Sequence, residues 1–204
     1  REFRVEPETW YGARDRSWGI RPVGEPAQGG APVPRGTFYW NWAPIQFADR
    51  SLLFTVSEDA DGVRWHDSTV LLPHTGASGA TGSGSLVRMH DVRHAWQFQE
   101  GTRIFDGGRL AFADPEGHEF SVTVRPLGPV WHMFGGGYGP PWRHGVYQGA
   151  LTVEGDRWDL STPEAVRRVT GLDETLCAFE LDGQIGYGPF EFACFGPYRP
   201  YGFQ

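Results

Sequence analysis

Asp15 sits in Gly12-Ala-Arg-Asp-Arg-Ser-Trp-Gly19, with Trp10, Tyr11 and Trp18 close by and Arg14, Arg16, Ser17 and Arg21 between and after them. Charge set among large aromatic rings is costly to desolvate unless it is paired. The segment therefore builds either an ion-paired corner or an active site. A carboxyl kept protonated in a partly apolar cavity can give its proton to an alkene and so begin a hydration or cyclisation. Pairing of Asp15 with Arg14, Arg16 or Arg21 works against that role, and the structural corner is the favoured reading.

His144 follows Pro140-Pro-Trp-Arg143 in a glycine-rich stretch that precedes a strand, a place suited to the mouth of a barrel. Histidine can act as acid or base near neutral pH. Tyr138, Trp142, Tyr147 and Gln148 lie nearby, and Arg143 offers a planar donor pair to a carboxylate or carbonyl. The competing reading is a solvated loop with a packed Trp. Glu191 alternates with Phe190 and Phe192 in Tyr187-Gly-Pro-Phe-Glu-Phe-Ala193. It is a buried acid if its face looks into the protein, and an ordinary surface residue, the commoner case, if it looks out. Asp15, His144 and Glu191 are the catalytic candidates.

Trp40 and Trp42 share one face of the strand Thr37-Phe-Tyr-Trp-Asn-Trp-Ala-Pro-Ile-Gln-Phe47, with Tyr39 and Asn41 on the other. The Trp face is expected to look inward and to share a cavity with side chains from 138–148. Ligand contacts are accordingly expected from Trp40, Trp42, Tyr138, Trp142, Arg143, Tyr147 and Gln148. A plain aromatic core is the alternative, because in a small barrel most inward rings simply fill space. His90 and His94 lie four apart in what reads as a strand, on one face but about 13 Å apart, too far for one ion. The chain has no Cys-x-x-Cys, no phosphate-binding glycine loop, no dinucleotide fingerprint and no Gly-x-Ser-x-Gly elbow. No metal or cofactor is expected.

The elements that must hold these residues are strands. Alternation and turn chemistry predict strands at 37–47, 51–57, 63–72, 85–93, 94–104, 109–113, 119–126, 146–154, 174–182 and 184–195. Asp59-Ala-Asp-Gly62 and Asp182-Gly183 read as hairpin turns. One helix is expected at 163–169, with Thr162 as N-cap, Pro163 in the first position and Gly171 as the stop. The fold class is all-β, an antiparallel calycin-like barrel or barrel half with one short helix.

Composition agrees. Of 204 residues 29 are Gly and 16 are Pro, and aromatic residues make up 15%, so turns and large rings dominate. Net charge is −7 without a basic run, which argues against nucleic acid as a partner. No window approaches the length of an apolar membrane helix. Cys177 and Cys194 sit in apolar strand contexts and are read as buried free thiols, which favours a cytoplasmic setting.

The segment 12–19 resembles the Gly-x-x-Asp-x-x-Trp-Gly signature of a lipocalin-like superfamily that includes carotenoid 1,2-hydratases, kievitone hydratase and fungal Diels–Alderases. Strand 37–47, the stretch Gly135–Gly149, and the ending Gly186–Phe192 with Gly196–Phe203 resemble an uncharacterised bacterial branch of that group. The resemblance implies cofactor-free hydration, isomerisation or cyclisation of a hydrophobic small molecule such as a terpenoid, polyketide or aromatic. Arg14 and Arg16 stand where carotenoid hydratases tend to have His, and Ser17 where they have Asn, a departure that counts against carotenoid hydration. The resemblance also implies that this chain is the second half of a two-domain protein, with an N-terminal partner domain, or else a homodimer. A non-catalytic carrier, or a structural half supporting a catalytic partner, fits the same fold.

Overall fold

Along the first strand, Tyr39, Asn41, Ala43, Ile45 and Phe47 are buried, whereas Trp40, Trp42, Pro44 and Gln46 are half-buried on the opposite side. The period of two is as expected, but the inward face is the reverse of the expected one. Tyr39 and Asn41 find polar partners inside, and the rings that fill the interior come from other strands. Because β1 carries large rings on both sides, alternation alone does not say which side is the core.

The structure is a computed structural model and describes residues 4, 12–13, 15, 38–74, 85–133, 138–139, 142–143, 149–151, 153 and 172–204. Its strands are β1 (Phe38–Gln46), β2 (Arg50–Glu58), β3 (Arg64–Asp67), β4 (Val70–Pro73), β5 (Val87–Arg88), β6 (His90–Phe98), β7 (Phe105–Ala113), β8 (Glu119–Pro126), β9 (Trp131–Met133), β10 (Tyr138–Gly139), β11 (Trp142–Arg143), β12 (Leu172–Leu181) and β13 (Gln184–Phe195). A single 3-10 turn, Arg199–Tyr201, follows. The helix expected at 163–169 and the strand expected at 146–154 fall outside the described residues, apart from 149–151 and 153, which are not strand. Among the described residues no helix is long and apolar enough to cross a membrane.

Every strand pairing is antiparallel, and the large sheet runs β5-β4-β2-β1-β13-β12-β8-β7-β6, with β3 added to β2 and β9 to β12. β5 and β6 are neighbours in the chain yet stand at the two ends of this order, so the sheet curls into a nearly closed barrel. Its turns have the expected chemistry. Asp59 Oδ1 accepts from the backbone N–H groups of Asp61 and Val63, each at 2.9 Å. Asp182 and Gly183 both take positive φ, 51° and 75°, which the two-residue turn between β12 and β13 requires.

Two expected strands, 85–93 and 94–104, divide differently. The turn falls at 99–104, where the Thr102 N–H donates to the Gln99 carbonyl and Gly101 has φ 68°. Upstream, Asp91 has φ 52° and the β6–β7 register shifts between His90 and Arg93. This bulge puts Met89 and Val92 both inside, although they are three apart. His90 and His94 therefore do not share a face as expected. His90 is exposed and pairs with Asp91 at 2.8 Å, while the His94 side chain is only 6% exposed in the interior.

The interior is filled. Phe54, Trp96, Phe105, Phe190 and Phe192 pack with Leu52, Ile45, Leu110, Phe112, Val122 and Phe179 into one core. Phe105 and Phe190 stack at 4.1 Å, and Trp96 meets Phe190 edge-on at 5.0 Å. Among the described residues these side chains occupy the middle of the barrel.

Candidate functional site

The ladder between β1 and β13 is continuous from Phe38↔Phe195 to Trp42↔Glu191 and resumes only at Gln46↔Tyr187. Pro44 and Pro189 lie in the gap, and neither has an N–H to donate. Gly188 sits under Pro44, and a Cβ there would lie 2.1 Å from the Pro44 carbonyl oxygen. On the outside of this interruption lies a groove of about 580 Å³, lined by Gly12, Pro44, Gln46, Leu127, Glu174, Leu176, Tyr187 and Pro189 among others. The start of the Gly12–Gly19 segment docks on it. The Gln46 amide donates to the Gly12 carbonyl at 2.7 Å and accepts from the Gly12 N–H at 3.2 Å.

Glu174 and Glu191 are directly opposed across the β12–β13 ladder. Residues so placed have Cβ atoms about 5 Å apart on the same face, where like charges repel. Burial pushes both carboxyls up, Glu174 by burial alone. For Glu191 burial is also the largest influence. The charges of Glu174 and Asp15 add to it, and the hydrogen bond from Trp40 opposes it. The Trp40 indole N–H donates to Glu191 Oε1 at 2.7 Å. The arrangement can keep a proton on one carboxyl while leaving the other able to accept one.

Of the expected site residues, Glu191 and Trp40 are joined by a hydrogen bond, and Asp15 is near enough for its charge to act on Glu191. Asp15 is exposed, and Arg14, Arg16 and Arg21, its expected partners, lie outside the described residues. Trp42 shares the outer face and is half-buried, opposite Thr55 and Glu191 in register. His144, Tyr147 and Gln148 lie outside the described residues. For Tyr138, Trp142 and Arg143 only the backbone is described, as the short ribbon β10–β11 in which Tyr138 pairs with Arg143. The expected meeting of Trp40 or Trp42 with 138–148 therefore lies outside the described side chains.

A second polar cluster, inside the barrel, went unread in the sequence. Glu58, at the end of β2, accepts from Arg64 Nη2 at 2.6 Å and Nε at 2.9 Å, and Tyr198 donates to its other oxygen. His94 Nε2 lies 3.2 Å from Glu58 Oε1, and His94 Nδ1 lies 2.6 Å from the Tyr201 hydroxyl. Burial would raise the Glu58 carboxyl. Hydrogen bonds from His94, Tyr198 and Arg64, with the charge of His94, overcome it and hold the carboxyl at about 2. Burial raises the phenols of Tyr39, Tyr198 and Tyr201, so they stay as donors.

Tyr39 stacks on both His94 and Tyr198, and its hydroxyl donates to Asn41 Oδ1 at 2.6 Å. The Trp96 indole donates to the same oxygen at 2.6 Å, and Asn41 Nδ2 donates to the Glu191 carbonyl at 3.0 Å. The signal for His94 was its alternation with Val92 and Trp96. Glu58 carried none, because it adjoins the hairpin turn and reads as part of it.

Cys177 and Cys194 are free, and burial pushes the Cys177 thiol up to about 12. Among the described residues no three His, Cys, Asp or Glu side chains gather to hold a metal ion. No curated protein and no solved structure matches the chain. A model of a family of unknown function, DUF8625, matches residues 1–204, and the chain belongs to that family.

Proposed function

We propose that this protein is a lipocalin-like, cytoplasmic enzyme of bacterial secondary metabolism that acts without a cofactor as a hydratase, isomerase or cyclase. Its substrate is a hydrophobic small molecule held in the outer groove. The observation that carries the reading is the Glu174–Glu191 pair, two half-buried carboxyls facing each other beside that groove. Two acids this close in partly apolar surroundings do not both ionise readily. One keeps a proton that it can give to an alkene or carbonyl, and the other can take a proton from water or from the substrate. Pro44, Leu127, Leu176 and Pro189 supply apolar walls. Trp40 orients Glu191 through its indole N–H.

The test uses a panel of isoprenoid and polyketide alkenes in oxygen-18 water, read by mass spectrometry for added label and for isomerised products. Turnover of a panel member should fall at least a hundredfold in Glu191→Gln and in Glu174→Gln, with its binding retained. Equal turnover in wild type and both variants would refute the assignment. Binding of apolar ligands without any turnover favours the carrier, for which the apolar lining is the supporting observation.

A further inference from the structure

Among the described residues the barrel wall has a seam, between β3 and β6, that no strand ladder closes. Among the described residues β6 pairs only with β7, and β3 only with β2. The two strands are nevertheless neighbours, because Arg64 Nη1 of β3 donates to the Val92 carbonyl of β6 at 2.6 Å. Further along β6, the Trp96 N–H donates to the Tyr201 hydroxyl at 3.0 Å, and the same hydroxyl lies 3.4 Å from the His94 carbonyl. The free edge of β6 is thus satisfied by a guanidinium and a phenol where a partner strand would stand. An unpaired edge exposes backbone donors and acceptors, and a covering element has to satisfy them.

The phenol comes from the C-terminal segment. Tyr198 and Phe203 bond to each other through two backbone hydrogen bonds, so 198–203 forms a small closed loop. Outside contacts hold it at both ends. The Arg199 N–H donates to the Ala60 carbonyl at 2.8 Å, and Arg103 donates to the Gln204 carbonyl at 2.8 Å. Inward, Tyr198 reaches Glu58 and Tyr201 reaches His94.

We propose that the barrel opens along this seam between β3 and β6, with Tyr198–Phe203 as the strap that keeps it shut. Elsewhere each strand from β5 round to β6 is joined to its neighbour by a ladder, and even β1 and β13, whose ladder skips Pro44 and Pro189, are paired on both sides of that gap, so opening costs least where two side chains do the work of a strand. Lifting the strap removes Tyr201 from the β6 edge and uncovers His94 and Glu58, which gives the interior polar cluster a way out to solvent. The strap and the seam share no lining residue with the outer groove, so the outcome of the turnover experiment does not bear on them.

Amide hydrogen exchange of the full chain tests it, comparing wild type with Tyr201→Phe, which keeps the ring and removes the hydroxyl. The Trp96 amide should exchange at least tenfold faster in the variant, while Leu110 in β7 and Val122 in β8 keep their protection. Unchanged protection of Trp96 would overturn the proposal. Equal loss of protection in β6, β7 and β8 would also overturn it, because the segment would then be ordinary core. Should Tyr201→Phe fail to fold, Arg64→Gln loosens the same seam from the β3 side, and the same contrast between β6 and β7–β8 decides.

Discussion

Replacing Glu58 by Gln keeps the shape of the side chain and takes away its charge. Its carboxyl is held at about 2 against an ordinary 4.5, so the folded state prefers the ionised form. At about 1.4 kcal/mol per pH unit, that preference is worth roughly 3 kcal/mol. A folded-state pKa below the unfolded one contributes stability that is complete above about 4.5 and disappears as pH falls towards 2. Arg64 keeps a second partner in Asp67 at 3.1 Å and some contact with solvent, so the variant does not strand a bare cation. The loss at pH 7 should therefore lie near roughly 3 kcal/mol, the low end for breaking a buried pair. Urea unfolding of wild type and Glu58→Gln at pH 7, 5 and 3 measures it. The difference between the two should be nearly full at pH 5, and somewhat more than half of it should be gone by pH 3. A difference that stays constant over that range, or one below about 1 kcal/mol at pH 7, would refute the reasoning that the network stabilises the fold through the ionised carboxylate.

Other positions give sharper local tests. Trp40→Phe removes the donor that opposes the effect of burial on Glu191, so the Glu191 carboxyl should titrate higher in the variant than in wild type, read by carbon-13 NMR titration. Gly188→Ala places a methyl against the Pro44 carbonyl, and chemical unfolding should show a loss of more than about 2 kcal/mol, with β1 and β13 forced apart. At Asp91, whose φ is 52°, substitution by Val should cost about 1–2 kcal/mol, because a branched side chain is strained there. Asp91→Gly should stay within about 1 kcal/mol of wild type in the same assay.

Strand positions were largely legible because period and turn chemistry are local properties. β8 and β13 have the expected boundaries, 119–126 and 184–195, since Asp182-Gly183 fixes the hairpin and Phe120, Val122 and Val124 alternate cleanly with polar residues. The side of β1 that faces the core was not legible. Tyr-Trp-Asn-Trp offers an aromatic to each face, and the decision rests with partners far away in sequence, Asn41 with Trp96 and Tyr39 with Tyr198. The positive φ at Asp91 likewise left no trace strong enough to move His90 off the face of His94. Of the site, Asp15, Glu191 and Trp40 were visible as types in a pattern. Glu174 was not, since a Glu in Leu-Asp-Glu-Thr-Leu reads as an ordinary polar position until β13 is laid beside it.

The two polar clusters are joined through the backbone. β1 sends Trp40 outward to the Glu191 carboxylate and Asn41 inward, where its amide grips the Glu191 carbonyl from the opposite side. Glu191 is thus clamped on both faces of the sheet by consecutive residues of one strand. Asn41 is held in turn by Tyr39 and Trp96, whose rings stack against His94 from either side. A buried Asn among so many rings carries a desolvation cost, and here its oxygen accepts twice and its amide nitrogen donates to the Glu191 carbonyl. The filled interior therefore does for the groove what an empty one could not. It fixes the height and direction of the strand that presents Glu191, so that an acid on the outside of a barrel is positioned as firmly as one within it.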